Sequence, residues 1–191
     1  MKPKIILSVA LLAIIAIFIT AGVILIPKIH IPKKVTQSAT TTPGYYQIIN
    51  VVDGDTFDVN MDGRTEHVRL IGLDTPETKK PDSPIECFGV AASNKAHEIL
   101  DNQQVRLESD PINTNRDRYG RLLRYAYLPD GRLFNAEMIK QGYGFAYLSF
   151  PFTKSDEFRN YQTAARQNGA GLWSGECTVT NQNGRLKSNT L

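Results

Sequence analysis

Residues Val51 to Thr78 read VVDGDTFDVNMDGRTEHVRLIGLDTPET, and the fold turns on how this stretch is read. Its DGDT turn places Asp53 and Asp55 two positions apart, and LDTPE adds Asp74 and Glu77 further along. Arg69 stands between the two acidic clusters in an alternating run. Asp-Gly is a tight-turn signal, and a second one, Asp62-Gly63, lies between two runs of alternating apolar and polar residues. Strands over 57–61 and 64–71 are therefore expected to form a hairpin that carries residue 74 back toward residue 55. Four carboxylates and one arginine then meet.

Taken singly, each piece is ordinary turn chemistry, because Asp caps turns locally and Pro fixes the backbone. Together they put hard oxygen ligands on adjacent turns. That arrangement suits a hard divalent cation such as Ca2+, whose shell mixes carboxylates, backbone carbonyls and waters. An arginine beside such a cation points to a phosphate.

Three motifs in order, DGDT, RLIGLDTPE at Arg69 to Glu77 and DRYGR at Asp117 to Arg121, resemble the thermonuclease (staphylococcal nuclease-like) family over about residues 45–174. The resemblance implies an α+β, mainly β fold, namely an OB-fold five-stranded barrel with three flanking helices. It also implies a Ca2+-dependent endonuclease that hydrolyses phosphodiester bonds of DNA and RNA, prefers single-stranded regions and leaves 3'-phosphates. By position it makes Asp55, Asp74 and the Thr75 backbone carbonyl the calcium ligands, supported by Asp53. Arg69, Glu77 and Arg121 match the family's catalytic residues. Arg118 and Tyr119 match positions that contact the terminal phosphate, and Tyr147 matches a tyrosine beside the base or sugar. A second family tyrosine is absent from the local run AYLSF, so stacking is expected to be weaker or arranged differently. OB-folds also hold single strands without chemistry, but here every catalytic and metal position is kept.

Upstream, Ile5 to Ile26 is an uncharged, mostly aliphatic run of 22 residues. As a helix it would span about 33 Å, enough for a hydrocarbon core of about 30 Å. Residues 1–27 are read as a transmembrane anchor or a cleaved signal peptide, which has a shorter apolar region. Either sends the domain outside the cytoplasm, membrane-anchored through residues 5–26 or secreted. Residues 28–44 hold prolines, lysines and a Ser/Thr cluster and read as a flexible linker. One domain over 45–177 follows, expected to be monomeric, and the tail 178–191 lacks an apolar pattern and is expected to be disordered.

The formal charge of +3 misleads, since residues 1–34 carry five lysines and no acid; removing them from 22 basic residues leaves 17 against 19 acidic. A domain binding nucleic acid through broad electrostatics would be basic. Arginines concentrated at motifs favour recognition of a few phosphates beside a cation.

Downstream, residues 90–102 read as a helix with Ala92, Ala96, Ile99 and Leu100 on one face. Strands are expected at 104–109 and 122–128, then a short helix capped by Asn135 and ended by Gly142, then a helix over 155–167 with Phe158, Tyr161 and Ala165 inward. His30, His67 and His97 share no ligand spacing. The only two cysteines, Cys87 and Cys177, flank the helical region of a chain read as exported, and a disulfide between them is expected. In chain-entropy models a loop of that length is worth on the order of 4–5 kcal/mol.

Overall fold

The computed structural model describes residues 44–78 and 84–191. The candidate membrane segment and most of the linker lie outside the described residues, among which no helix is long and apolar enough to cross a membrane.

Five strands close a barrel: β1 (Tyr46–Asp53), β2 (Thr56–Met61), β3 (Arg64–Leu70), β5 (Gln104–Glu108) and β6 (Leu122–Tyr127), in the order β1-β2-β3-β6-β5. The expected hairpin is β2–β3. Its turn residues Asp62 (φ 52°) and Gly63 (φ 81°) both take the left-handed conformation that a two-residue hairpin turn needs. The remaining barrel pairs are antiparallel except β3 with β6, which run parallel with Arg69 opposite Leu123. This pairing brings the approach to β6, where Arg121 sits, alongside Arg69. Alternation buries Phe57 and Val59 on β2 with Val68 and Leu70 on β3, and Val51, Val105, Leu122 and Ala126 join them in the core.

Two short strands, β4 (Leu73–Asp74) and β7 (Phe145–Ala146), pair outside the barrel. Helix α1 (Gly89–Leu100) packs on β1 and buries Ala92, Ala96 and Leu100. Helix α2 (Phe134–Lys140) packs on α3 (Ser155–Gln167), which buries Phe158 and Ala165 as expected. Asn135 does not cap α2. It sits inside the helix, fully buried, where its Oδ1 accepts the Ala126 amide at 3.0 Å and its Nδ2 donates to the Ile71 carbonyl at 2.9 Å. A polar side chain this deep is tolerated because it satisfies backbone groups that the strand ends leave unpaired.

The expected disulfide joins Cys87 to Cys177. The expected disorder beyond it is wrong: Val179–Gln182 (β8) and Arg185–Ser188 (β9) form an antiparallel hairpin around Asn183-Gly184. Its apolar contact is small, Val179 and Leu186 packing against Cys87, Phe145, Leu172 and Cys177, and polar and covalent anchors add to it. Ser188 Oγ donates to the Cys87 carbonyl at 2.8 Å, the Cys87 amide donates to the Asn189 carbonyl at 2.7 Å, and Lys187 pairs with Glu86 at 2.9 Å.

Candidate active site

All ten residues singled out in the sequence line one open cleft of about 1090 Å³ on the barrel side. The floor is built first by β1. A register shift between Val51 and Asp53 bulges the strand just before DGDT and aims the turn into the cleft. Asp55 is then fixed by the returning chain. Its backbone carbonyl accepts the Leu70 amide at 3.0 Å, and its carboxylate Oδ2 accepts the Thr75 amide at 3.0 Å. The two acidic motifs thus hold each other directly.

Arg69 lies between them. Its Nη2 is 3.1 Å from Asp55 Oδ2 and 3.2 Å from Asp74 Oδ1, while Nη1 donates to the Leu70 carbonyl at 2.9 Å. Asp74 is 4% exposed, and burial pushes its carboxyl above the usual range against the opposing pull of Arg185 and Arg69. Burial also raises Asp53, to about 6, reinforced by the neighbouring Asp55 charge and opposed by hydrogen bonds from the Gly54 amide and the Thr78 hydroxyl. Glycine is required beside this cluster: a Cβ on Gly54 would lie 2.7 Å from the Thr75 methyl, and one on Gly144 would lie 3.2 Å from the same methyl.

Glu77 is positioned through its backbone. Its carbonyl accepts the Glu86 amide at 2.9 Å, and its amide donates to Glu86 Oε2 at 3.2 Å. Across the cleft, Asp117 accepts the Arg121 amide at 3.0 Å and takes Arg121 Nε at 2.8 Å. Although burial works against its charge, these bonds hold the Asp117 carboxyl below its ordinary range. Arg118 stacks at 4.8 Å on the ring of Tyr119, which is 68% exposed. The ring of Tyr147 meets Phe150 edge-on at 5.8 Å. Phe150, 61% exposed, also lines the cleft, so the second ring beside Tyr147 is a phenylalanine and the expected absence of a second tyrosine there leaves an aromatic in place.

The donor chemistry fits a hard cation. Asp55 and Asp74 supply two carboxylates within reach of one guanidinium nitrogen, and the Thr75 hydroxyl is buried with no hydrogen-bond partner among the described residues. No group of three or more His, Cys, Asp or Glu side chains among the described residues makes a cage by itself. Two carboxylates completed by backbone oxygen and water make the mixed shell Ca2+ accepts.

Two further residues belong to the site. Asp117 was overlooked because an acid within DRYGR carries no signal of its own. Arg185 was overlooked because it lies in the supposed disordered tail, yet its Nε and Nη2 each donate to Asp74 at 2.7 Å.

A closed five-stranded barrel with an acid–arginine cleft beside its first hairpin defines an OB-fold protein. The model of the family described as "Staphylococcal nuclease homologue" matches residues 67–175, more than half the chain. The chain belongs to that family. It is 47% identical over 107 residues to the Thermonuclease of Staphylococcus intermedius, a match covering 56% of this chain and 62% of that protein. It is 38% identical over 144 residues to the Thermonuclease of Staphylococcus hyicus, covering 75% and 83% respectively. To Endonuclease YncB of Bacillus subtilis (strain 168) it is 39% identical over 140 residues, covering 71% and 65%.

Proposed function

We propose that the protein is a Ca2+-dependent endonuclease that hydrolyses phosphodiester bonds of DNA and RNA. The observation that carries this reading is the convergence of Asp55, Asp74, Arg69, Glu77 and Arg121 on one cleft. Relatives named Thermonuclease and Endonuclease support it.

Asp55, Asp74 and the Thr75 carbonyl would hold the calcium. The ion would neutralise a nonbridging phosphoryl oxygen and help orient water. Arg69 and Arg121 present planar forks to charge that grows on the phosphoryl oxygens. Glu77 accepts the water's proton or orients that water. Arg118 and Tyr119 meet the terminal phosphate. Tyr147 and Phe150 offer ring faces and edges to bases that are not already stacked in a duplex, which supports a preference for single-stranded regions. The 3'-phosphate product rests on the family resemblance. An extracytoplasmic domain, anchored through residues 5–26 or secreted after cleavage, is supported by the apolar run and by a disulfide of the kind that persists in oxidising compartments.

The test is degradation of denatured DNA by the purified protein with Ca2+ and with chelator. Activity unaffected by chelator, or none with any divalent ion, defeats the reading. Arg121→Lys keeps the charge and loses the fork, and Glu77→Gln keeps the size and loses the proton acceptor. Each is expected to cut turnover about 100- to 1000-fold with little change in nucleotide affinity. Asp55→Ala instead weakens calcium binding and is partly rescued by added calcium. Near-normal turnover in the first two variants refutes their assigned roles.

A further inference from the structure

Arg185 makes the contact on Asp74 that a bound cation would need. Its Nε donates to Oδ2 and its Nη2 to Oδ1, both at 2.7 Å, so a planar fork covers both oxygens of the carboxylate. Arg69 reaches only Oδ1, at 3.2 Å. The cluster therefore holds two carboxylates and two guanidinium groups, and its charges already balance.

The two arginines differ in how readily they can leave. Arg69 is 14% exposed and also bonded to backbone carbonyls. Arg185 is 45% exposed, so water can take over its donors, and its side chain donates to no acceptor but Asp74 among the described residues. It is the first residue after the Asn183-Gly184 turn, at the tip of the β8–β9 hairpin. The hairpin's base is fixed separately, by the Cys87–Cys177 disulfide, by Ser188 on the Cys87 carbonyl, and by Lys187 on Glu86. A tip can move while such a base stays. The Arg185 guanidinium also lies 5.6 Å from the ring of Tyr147.

We propose that Arg185 is a tethered rival of the divalent cation for Asp74, and thereby sets the cation affinity of the cleft. It compensates the buried carboxylate when no cation is there, and yields it when one binds. A lone buried carboxylate stripped of its partner is costly, so the site gains by carrying its own counter-charge. The cost is weaker cation binding, because each ion must displace the fork. β8 and β9 lie beyond residues 67–175, the part of the chain matched to the family. The inference rests on the reading of Asp55 and Asp74 as cation ligands.

Calcium titrated calorimetrically into the full-length protein and its Arg185→Gln variant tests it. The variant keeps the hairpin's length and turn and loses the charged fork. Its calcium affinity is expected to rise by about tenfold or more, within the usual range of coupling between linked binding events. In the unaltered protein, saturating calcium is also expected to speed amide exchange at 181–185 while the base at 188–191 stays protected. Equal or weaker affinity in Arg185→Gln, or a tip still protected at saturation, overturns the proposal while leaving the cation reading intact. No calcium binding to either protein overturns the cation reading, and the proposal with it.

Discussion

The molecule builds the same turn twice and secures it in two different ways. At the β2–β3 turn, Asn60 Oδ1 accepts the Gly63 amide at 2.8 Å; at the β8–β9 turn, Asn181 Oδ1 accepts the Gly184 amide at 2.8 Å. The first turn residues match as well, Asp62 with φ 52° and Asn183 with φ 53°. Beyond the turns the likeness ends. β2 and β3 bury Phe57, Val59, Val68 and Leu70 in the barrel, whereas β8 and β9 bury only Ser188 and leave Val179, Leu186 and Lys187 partly covered. The barrel hairpin is held by apolar area removed from water, the C-terminal one mainly by a disulfide, ion pairs and backbone bonds to 85–87, with a small apolar contact through Val179 and Leu186. Local turn chemistry therefore sets a hairpin's shape, and its surroundings decide whether it persists.

Substitutions can break this contrast at either end. Phe57→Ala empties a site that is 1% exposed in the barrel and is expected to cost about 3–5 kcal/mol in denaturant unfolding. Replacing both cysteines with serine is expected to cost about 2–4 kcal/mol and to abolish amide protection over β8–β9 while the barrel amides stay protected. If the hairpin keeps its protection without the disulfide, its non-covalent contacts are enough to secure it.

Smaller changes sharpen the comparison. A Cβ added at Gly63 or Gly184 meets nothing within 4 Å, so each Gly→Ala change charges only for the left-handed backbone, about 1–2 kcal/mol. Gly63→Ala is expected to lower global stability by that amount. Gly184→Ala is expected to leave the unfolding midpoint nearly unmoved and appear as faster exchange in the tail. Lys187→Met removes a partly exposed ion pair and is expected to change stability by less than about 1 kcal/mol, measured in the same unfolding assay.

The barrel hairpin was legible because both its signals are local: an Asp-Gly pair and apolar residues at every second position. The helices were legible for the same reason, through Ala92, Ala96 and Leu100, or Phe158 and Ala165. The parallel β3–β6 pairing was not, since nothing within either strand encodes the partner's direction. Asn135 was misread because the residue type suits a cap, and only the fold brings it beside Ile71 and Ala126. The tail was misread because its Asn-Gly turn has no apolar alternation around it. Its anchors sit about a hundred residues away, Lys187 on Glu86 at a separation of 101 and Arg185 on Asp74 at 111. The cleft's acids and arginines were legible as a set through their motifs. Phe150 and Arg185, which complete it, lie outside those motifs.

The Cys87–Cys177 link has a topological effect separate from its effect on stability. It encloses Arg121 and Tyr147 and leaves Asp55, Asp74 and Arg185 outside, so the cleft is assembled from both sides of the crosslink. The segment 111–120 inside it is mostly exposed and is where a protease would cut. A single cut there would open the chain without separating it: the two fragments, each with part of the cleft, would run as one species without reductant and as two once the disulfide is reduced.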